Sequence, residues 1–384
     1  MVGLSRRPRE TRRQSRSASP SPWRRQGRHL GPTSCILLAN RMDHNPTGRP
    51  EVTVQRWNRP AFLRWCLALL VSGGLLAALF VAQRLDPRAV LSMVGAIWLP
   101  GLAAFVLVSL MALGLASWRY WLLLEGRVPL WPLVLVTLVR NLFVHLVPAR
   151  AGAAASYLYL VTARLGLPAE AAVASMALAF LLETLALALL LLVAVLAAGV
   201  LPLPTTVVVG GGVALLAASV IALRMLAPAF RVAATLAARL PQRLAWVKVP
   251  LDAAGQTVRR LEARRVLVPA LAVSALLRLA KYGAYYCLLK ALLRGREPVG
   301  ADLDFLRVFL SVLGAELVAS LPVPTVASLG PYEVASTLGF VYWLGLPPGL
   351  ATLVATAFHV IAQVYDDGLG LLALGWIMRP RFRG

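Results

Sequence analysis

Residues Asn141–Gly152 read NLFVHLVPARAG and interrupt one of the most apolar parts of the chain. A histidine, a proline, an arginine and a glycine fall within eight residues, where a membrane-spanning segment would ordinarily stay apolar. Pro148 is expected to end one helix, and Gly152 relieves the backbone where the next helix begins. The stretch therefore predicts two half-helices joined by a polar bend.

The composition of the whole chain is that of a helical membrane protein. Of its 384 residues, 59% are hydrophobic and 14% are charged, whereas soluble domains average about 25% charged residues. Six apolar segments have the length of about 20 residues that a helix needs to cross the hydrocarbon layer. These predicted spans are 61–82, 96–120, 170–199, 205–226, 266–291 and 349–376.

The net charge of +23 would suit a nucleic-acid-binding protein, but the placement of the charges argues for a membrane protein. Arginines crowd residues 1–41, the loop 224–265 and the end of the chain, while the opposite loops are poor in Lys and Arg. The positive-inside rule then places both termini in the cytoplasm, and the expected membrane is the plasma membrane. We expect membrane lipids as partners and no nucleic acid.

Three parts are predicted along the chain. Residues 1–59 form a disordered basic tail, with a transit peptide or a true start at Met42 as open alternatives. Residues 60–378 form the transmembrane domain, and 379–384 form a basic cytoplasmic tail. The few cysteines and histidines lack metal-ligand spacing, so we expect no cofactor, no metal and no catalytic residue.

A second broken segment resembles the first. Residues 133–147 and 153–165 flank PARAG, and residues 305–321 and 331–344 flank PVPTVASLG. Each piece is too short to span comfortably, so the pairs predict two re-entrant helical hairpins, whose bends must be buried in protein or face water. LGLP follows both hairpins and three spans separate them, which predicts an inverted repeat. The predicted fold is an all-α polytopic membrane protein with about six full spans and two re-entrant hairpins.

Ionisable residues inside the predicted membrane region are the candidates for a binding site. Arg150 at the first bend would add its charge to a half-helix N-terminus, which favours anions; snorkelling to the interface is the alternative. Glu333 follows Gly330 by three residues, which predicts a capping box, with a headgroup contact as the alternative. The proposed headgroup-binding residues are Arg150, Gly152, Arg278, Lys281 and Glu333. The secondary candidates are Arg140, His145, Glu183, Glu316, Asp366 and Asp367.

Four stretches carry a resemblance to a known family. They read RYWLLLEGR, NLFVHLVPARAG, LGLPAEAAVASMALAFLLET and LPVPTVASLGPYEVASTLGFVYWLGL. Over residues 60–378 the chain resembles the lysylphosphatidylglycerol synthase transmembrane region, or flippase-like domain, of the multiple peptide resistance factors. The resemblance implies translocation of an aminoacylated phospholipid. The chain stops at RPRFRG, so we expect no synthase domain and no enzymatic activity.

The chain departs from the family pattern at the first hairpin and in the helix after it. Ala153 and Ser156 stand where the family commonly has an acid and an arginine, and Thr184 and Leu187 replace further charges. The leading hypothesis is a flippase-like protein that binds or translocates an anionic lipid headgroup. A membrane transferase using Asp366 and Asp367 and a non-transporting envelope scaffold are the alternatives. A homo-oligomer or a separate synthase partner is also expected.

Overall fold

Helices make up all regular structure in the part of the chain that the computed structural model describes, namely residues 59–146, 151–198, 205–237, 248–295, 303–319, 325 and 327–379. All of these residues belong to one unit, Trp57–Gly384. The helices are α1 Arg59–Ala82, α2 Arg88–Gly95, α3 Leu99–Leu123, α4 Leu130–Leu146, α5 Ala151–Tyr159, α6 Ala169–Ala198, α7 Thr205–Ala237, α8 Lys248–Ala263, α9 Leu267–Leu293, α10 Phe305–Ala319, α11 Pro331–Leu344 and α12 Pro348–Ile377. The predicted basic tails fall almost wholly outside the described residues.

Five of the described helices are long and apolar enough to cross a membrane: α3, α6, α7, α9 and α12. They correspond to five of the six predicted spans. The remaining span, 61–82, lies within α1, which is not among these five helices. The all-helical membrane fold is therefore confirmed, and the full count of six crossings stays a prediction.

Helix α7 is longer than its predicted span 205–226, because it continues to Ala237 with Pro228 inside it. Proline removes one backbone hydrogen bond and ordinarily bends or ends a helix. Here α8 packs along α7 and supports the extension. Gly255 of α8 lies so close that an added Cβ would be 3.3 Å from the Ala227 carbonyl oxygen. The basic loop 224–265 is therefore mostly helical, and α8 turns its apolar face towards α6 and α7.

The helix lengths recur in order along the two halves of the chain. In the first half, α3, α4, α5 and α6 have 25, 17, 9 and 30 residues, and a five-residue π-helical turn, Leu160–Arg164, extends α5. In the second half, α9, α10, α11 and α12 have 27, 15, 14 and 30 residues. The pairs α4/α5 and α10/α11 match the two predicted hairpins in sequence position and in brevity.

Small residues allow close contact between the helices that build the domain. The two halves meet along α3 and α9, which pack together over much of their length. A Cβ on Gly339 of α11 would lie 2.7 Å from the Ser311 carbonyl oxygen of α10, so the second pair is packed backbone to backbone. A Cβ on Gly370 of α12 would lie 2.6 Å from Leu142 Cβ of α4. These contacts bring the two halves around a central space.

Candidate functional site

A central cavity of about 460 Å³ lies between the two halves. Its wall is formed by α3, α4, α6, α9, α10, α12 and Tyr332 of α11, with Thr325, Ala327 and Ser328 from the segment before α11. Charged side chains face the cavity, and so do His145 of α4, His359 of α12 and several aromatic and aliphatic groups. The ionisable wall residues with carboxylate, guanidinium, ammonium or imidazole groups are Arg119, Arg140, His145, Glu183, Arg278, Lys281, Glu316, His359 and Asp366.

A continuous chain of ion pairs crosses this wall. Glu183 of α6 lies 3.2 Å from Arg119 Nη1 on α3 and 3.0 Å from Arg278 Nη2 on α9. Arg278 Nη1 lies 3.2 Å from Glu316 Oε2 on α10, and Lys281 Nζ contacts the other oxygen of Glu316. The structure thus pairs Lys281 with Glu316. Each carboxylate contacts two cations: those of Glu183 lie on α3 and α9, and those of Glu316 both lie on α9.

These ion pairs matter for the stability of the fold because their charges are largely shielded from water. The Arg119 side chain is 2% exposed, and Arg278 is 13% exposed. Isolated charges at such depth cost several kcal/mol in lost hydration, about 3–5 kcal/mol when one partner of a buried pair is removed. The Nε atoms of Arg119 and Arg278 have no hydrogen-bond partner among the described residues. Each guanidinium therefore has one shielded donor that the described residues leave without a partner.

The wall carries more positive than negative charge. Its described cations are Arg119, Arg140, Arg278 and Lys281, and its described carboxylates are Glu183, Glu316 and Asp366. With the histidines neutral, one positive charge is in excess. Charges interact strongly where water is largely excluded, so this imbalance favours an anionic guest.

Arg140 is the wall cation that lies outside this ion-pair network. Its Nη1 donates to Asn141 Oδ1 at 3.3 Å, and its guanidinium lies 6.0 Å from the ring centre of Tyr120. No carboxylate of the described residues is within ion-pair distance, and its buried Nε has no described partner. Arg140 was a secondary candidate from the sequence; the structure makes it the described wall cation with the most unused donor capacity.

The first predicted bend is only partly covered by the structure. Arg150, with residues 147–149, lies outside the described residues, so its role stays a prediction. Gly152 is described; it is buried in the first turn of α5 and does not form part of the cavity wall.

The second bend is held by a cap that the sequence predicted. Gly330 has φ +93°, and its N–H donates to Glu333 Oε2 at 2.6 Å. Glu333 is fully buried, and its Oε1 lies 2.6 Å from His359 Nδ1 on α12. The capping role is confirmed. Glu333 itself is not on the cavity wall, whereas its partner His359 is.

Gln363 completes the attachment of this segment to α12. Its Nε2 donates to the Ala327 carbonyl oxygen at 3.1 Å and lies 3.0 Å from His359 Nε2. The backbone that enters α11 is therefore fixed to α12 by Glu333 on one side and Ala327 on the other. These contacts set the position of the wall residues Ala327 and Ser328.

The adjacent carboxylates Asp366 and Asp367 do not act as a pair. Asp366 faces the cavity, whereas Asp367 Oδ1 lies 2.7 Å from His145 Nδ1 on α4. Among the described residues, no group of three His, Cys, Asp or Glu side chains could hold a metal ion. The geometry therefore lends no support to a metal-diphosphate site at these two residues.

Sequence reasoning missed Arg119, His359 and Gln363. Arg119 lies between Trp118 and Tyr120 near the end of a span, a pattern that is typical of the interfacial belt. Only the packing of α3 against α6 reveals that it points inwards. His359 and Gln363 lie four residues apart in the otherwise apolar first half of α12, and that spacing could have marked one polar helix face.

Comparison with known families agrees with this architecture. The family model described as "Lysylphosphatidylglycerol synthase TM region" matches residues 65–365, which is most of the chain. No curated protein and no solved structure matches the chain. The matched range includes every charged and histidine residue of the cavity wall except Asp366, which follows it directly. The chain belongs to the lysylphosphatidylglycerol synthase transmembrane region family.

Proposed function

We propose that this membrane protein binds the headgroup of an anionic phospholipid in its central cavity and moves it between leaflets. The observation that carries the proposal is the cationic wall of that cavity, formed by Arg119, Arg140, Arg278 and Lys281. Its volume of about 460 Å³ lies in the range of about 300–1,000 Å³ that is usual for small-molecule sites. A phosphate group with its glycerol portion suits such a site in size and charge.

Arg140 is the proposed primary contact for the phosphate. Guanidinium groups bind phosphate through two parallel hydrogen bonds, which are about twice as strong as neutral ones. Arg119, Arg278 and Lys281 are already paired with Glu183 and Glu316. An incoming phosphate would have to compete with those carboxylates, whereas at Arg140 it meets no described competitor.

The course of the two short helix pairs through the bilayer is part of the proposal. We propose that α4/α5 and α10/α11 are re-entrant hairpins that dip in from opposite leaflets as an inverted repeat. Transporters built on such repeats place their site near the midplane, at the repeat interface. The cavity wall supports this arrangement, because α4 of the first pair and both α10 and Tyr332 of α11 from the second pair contribute to it.

Orientation and partners follow from the same proposal. The Lys and Arg distribution in the sequence supports a plasma-membrane location with both termini in the cytoplasm. We assign no enzymatic step to the chain. A further copy of the chain or a separate lipid-modifying synthase would be its protein partner.

A leaflet-exchange assay tests the function. Purified protein is reconstituted in phosphatidylcholine vesicles with a fluorescent phosphatidylglycerol, and a membrane-impermeant quencher reports the fraction that reaches the outer leaflet. We expect exchange well above that of protein-free vesicles. Equal rates in both preparations would refute the proposal.

The role of Arg140 is tested by Arg140→Gln, with Arg88→Gln as control because Arg88 is exposed on α2 away from the cavity. Loss of a charge-assisted hydrogen bond costs about 1.5–3 kcal/mol, so exchange should fall by about tenfold or more. The Arg140 substitution orphans no described carboxylate, so folding should survive. A normal rate in Arg140→Gln would remove the residue from the site.

A further inference from the structure

The two flanks of the cavity differ in their packing. On one flank α4 and α12, which both line the cavity, pack directly on each other. Gly370 lets Leu142 approach so closely that an added Cβ would be 2.6 Å away. His145 and Asp367 are joined at 2.7 Å across the same interface. This flank is closed.

On the other flank α6 and α10 also line the cavity, but their described residues make little or no direct contact. Both helices pack on α9 behind them instead. Arg278 of α9 links the two, since it pairs with Glu183 of α6 and with Glu316 of α10. The charged groups of Arg278, Glu183 and Glu316 therefore lie behind the α6–α10 gap, on the side of α9. In the described part of the chain, no helix covers the opposite side of the gap.

The front edges of this gap are apolar and exposed. Phe180 of α6 and Leu317 of α10 line the cavity, and yet they are 65% and 53% exposed. Phe180 lies three residues before Glu183, and Leu317 follows Glu316 directly. An apolar rim thus stands beside the ion-paired charges, which is the pattern that an amphiphile with a phosphate and acyl chains would fit.

We propose that the α6–α10 gap is a lateral doorway for a diacyl phospholipid, with the acyl chains between Phe180 and Leu317 and the phosphate towards Arg278. This inference rests on the proposed function and names the route of its substrate. A soluble anion would need no apolar rim, whereas a lipid must keep its chains in hydrocarbon while its headgroup occupies the cavity.

Bulky adducts at the rim test the doorway. In a background of Cys35→Ala, Cys66→Ala and Cys287→Ala, single cysteines replace Phe180 or Leu317 and are labelled with a large maleimide before reconstitution. The controls are Val193→Cys on α6 and Leu338→Cys on α11, which are 62% and 65% exposed and do not line the cavity. Rim adducts should slow phosphatidylglycerol exchange about tenfold, equivalent to about 1.4 kcal/mol in barrier, while control adducts should leave it unchanged.

A second measurement reports occupancy without transport. A photoreactive side chain at residue 180 or 317 is irradiated in phosphatidylcholine vesicles that contain a trace of phosphatidylglycerol with a tagged acyl chain. Tagged lipid should be enriched at the rim over positions 193 and 338, and tagged phosphatidylcholine should not. Enrichment of both lipids alike would show bulk contact and overturn the doorway.

The outcomes separate the two proposals. If rim adducts do not slow exchange and tagged lipid is not enriched at the rim, the doorway is refuted. The observed exchange still supports lipid translocation in that case. Enrichment at the rim in a protein that shows no exchange supports the doorway and refutes translocation. Absence of both exchange and enrichment refutes both.

Discussion

Arg119 of α3 and Glu183 of α6 form a buried ion pair, with Arg119 Nη1 3.2 Å from Glu183 Oε2. The other oxygen of the same carboxylate lies 3.0 Å from Arg278 Nη2 on α9. Glu183 therefore connects three helices and is shared by two guanidinium groups on the cavity wall. Arg278 connects three helices as well, because it also pairs with Glu316 of α10.

Substitution of Glu183 should destabilise the protein strongly. Glu183→Gln leaves the Arg119 charge without a described carboxylate partner, and about 3–5 kcal/mol of unfolding free energy should be lost. Thermal unfolding in detergent measures this, with Glu262→Gln on the exposed face of α8 as control; exposed substitutions stay within about 0.5 kcal/mol. Unfolding temperatures that match between Glu183→Gln and Glu262→Gln would contradict the network described here.

The close approach of α4 and α12 predicts opposite effects for two glycines of α12. Gly370→Ala places a Cβ 2.6 Å from Leu142 Cβ, so it should push the helices apart and destabilise by about 1–3 kcal/mol. Gly368→Ala meets nothing within 4 Å, and helix propensity should make it neutral or stabilising by up to about 1 kcal/mol. Thermal unfolding of both variants shows whether each substitution raises or lowers the stability. A Gly370→Ala protein as stable as the Gly368→Ala protein would argue against the contact between Gly370 and Leu142.

The entry into α11 predicts a similar contrast between two glycines with positive φ. Gly345 has the left-handed φ +68° and ψ +20°, where alanine costs about 1–2 kcal/mol, and Gly330, with φ +93° and ψ −72°, lies outside that region, where alanine is strained more. At Gly330 the new Cβ would also lie 2.7 Å from Leu75 Cβ of α1, whereas at Gly345 it would meet nothing. Gly330→Ala should therefore lower the unfolding temperature more than Gly345→Ala does. The same ranking is expected for protease sensitivity, and a reversed ranking would refute the α1 contact.

A carboxylate outside the spans predicts a pH dependence. Burial opposes ionisation of Glu125, but the hydrogen bond from Arg127 and the charges of Arg264 and Arg260 outweigh it and hold the pKa below its ordinary value. A lowered folded pKa adds stability at neutral pH, and this stability is lost as pH falls from the unfolded pKa through the folded one. Unfolding temperatures of wild type and Glu125→Gln should thus differ at neutral pH and converge in acid. A constant difference at all pH values would show that the charge is not responsible.

Several features of the fold were predictable from the chain alone. Hydrophobic runs of the right length located α3, α6, α9 and α12 to within about three residues, since a span is set locally by composition. Gly330, Pro331 and Glu333 predicted the start of α11, because a cap is also a local property. The extension of α7 past Pro228 was not predictable, since it depends on contact with α8.

In the candidate site, too, some features were predictable from the sequence and others depend on packing. Intramembrane charge marked Glu183, Arg278, Lys281 and Glu316 as candidates, and the structure brings all four together on one wall. Their pairing, the inward direction of Arg119 and the different surroundings of Asp366 and Asp367 depend on helix rotation. A helix turns each residue by about 100°, so a residue's face is defined only once its neighbours are placed.

The amino-acid sequence by itself determined the class of protein, the helical spans, the two broken segments and the family, because each rests on local composition and spacing. Tertiary structure alone decided which charges neutralise one another and which cation, Arg140, keeps unused donors at the cavity. It also decided that α4 closes on α12 while α6 and α10 stay apart. Long-range packing sets these relationships, and residues far apart in the chain acquire a distance only when the helices meet.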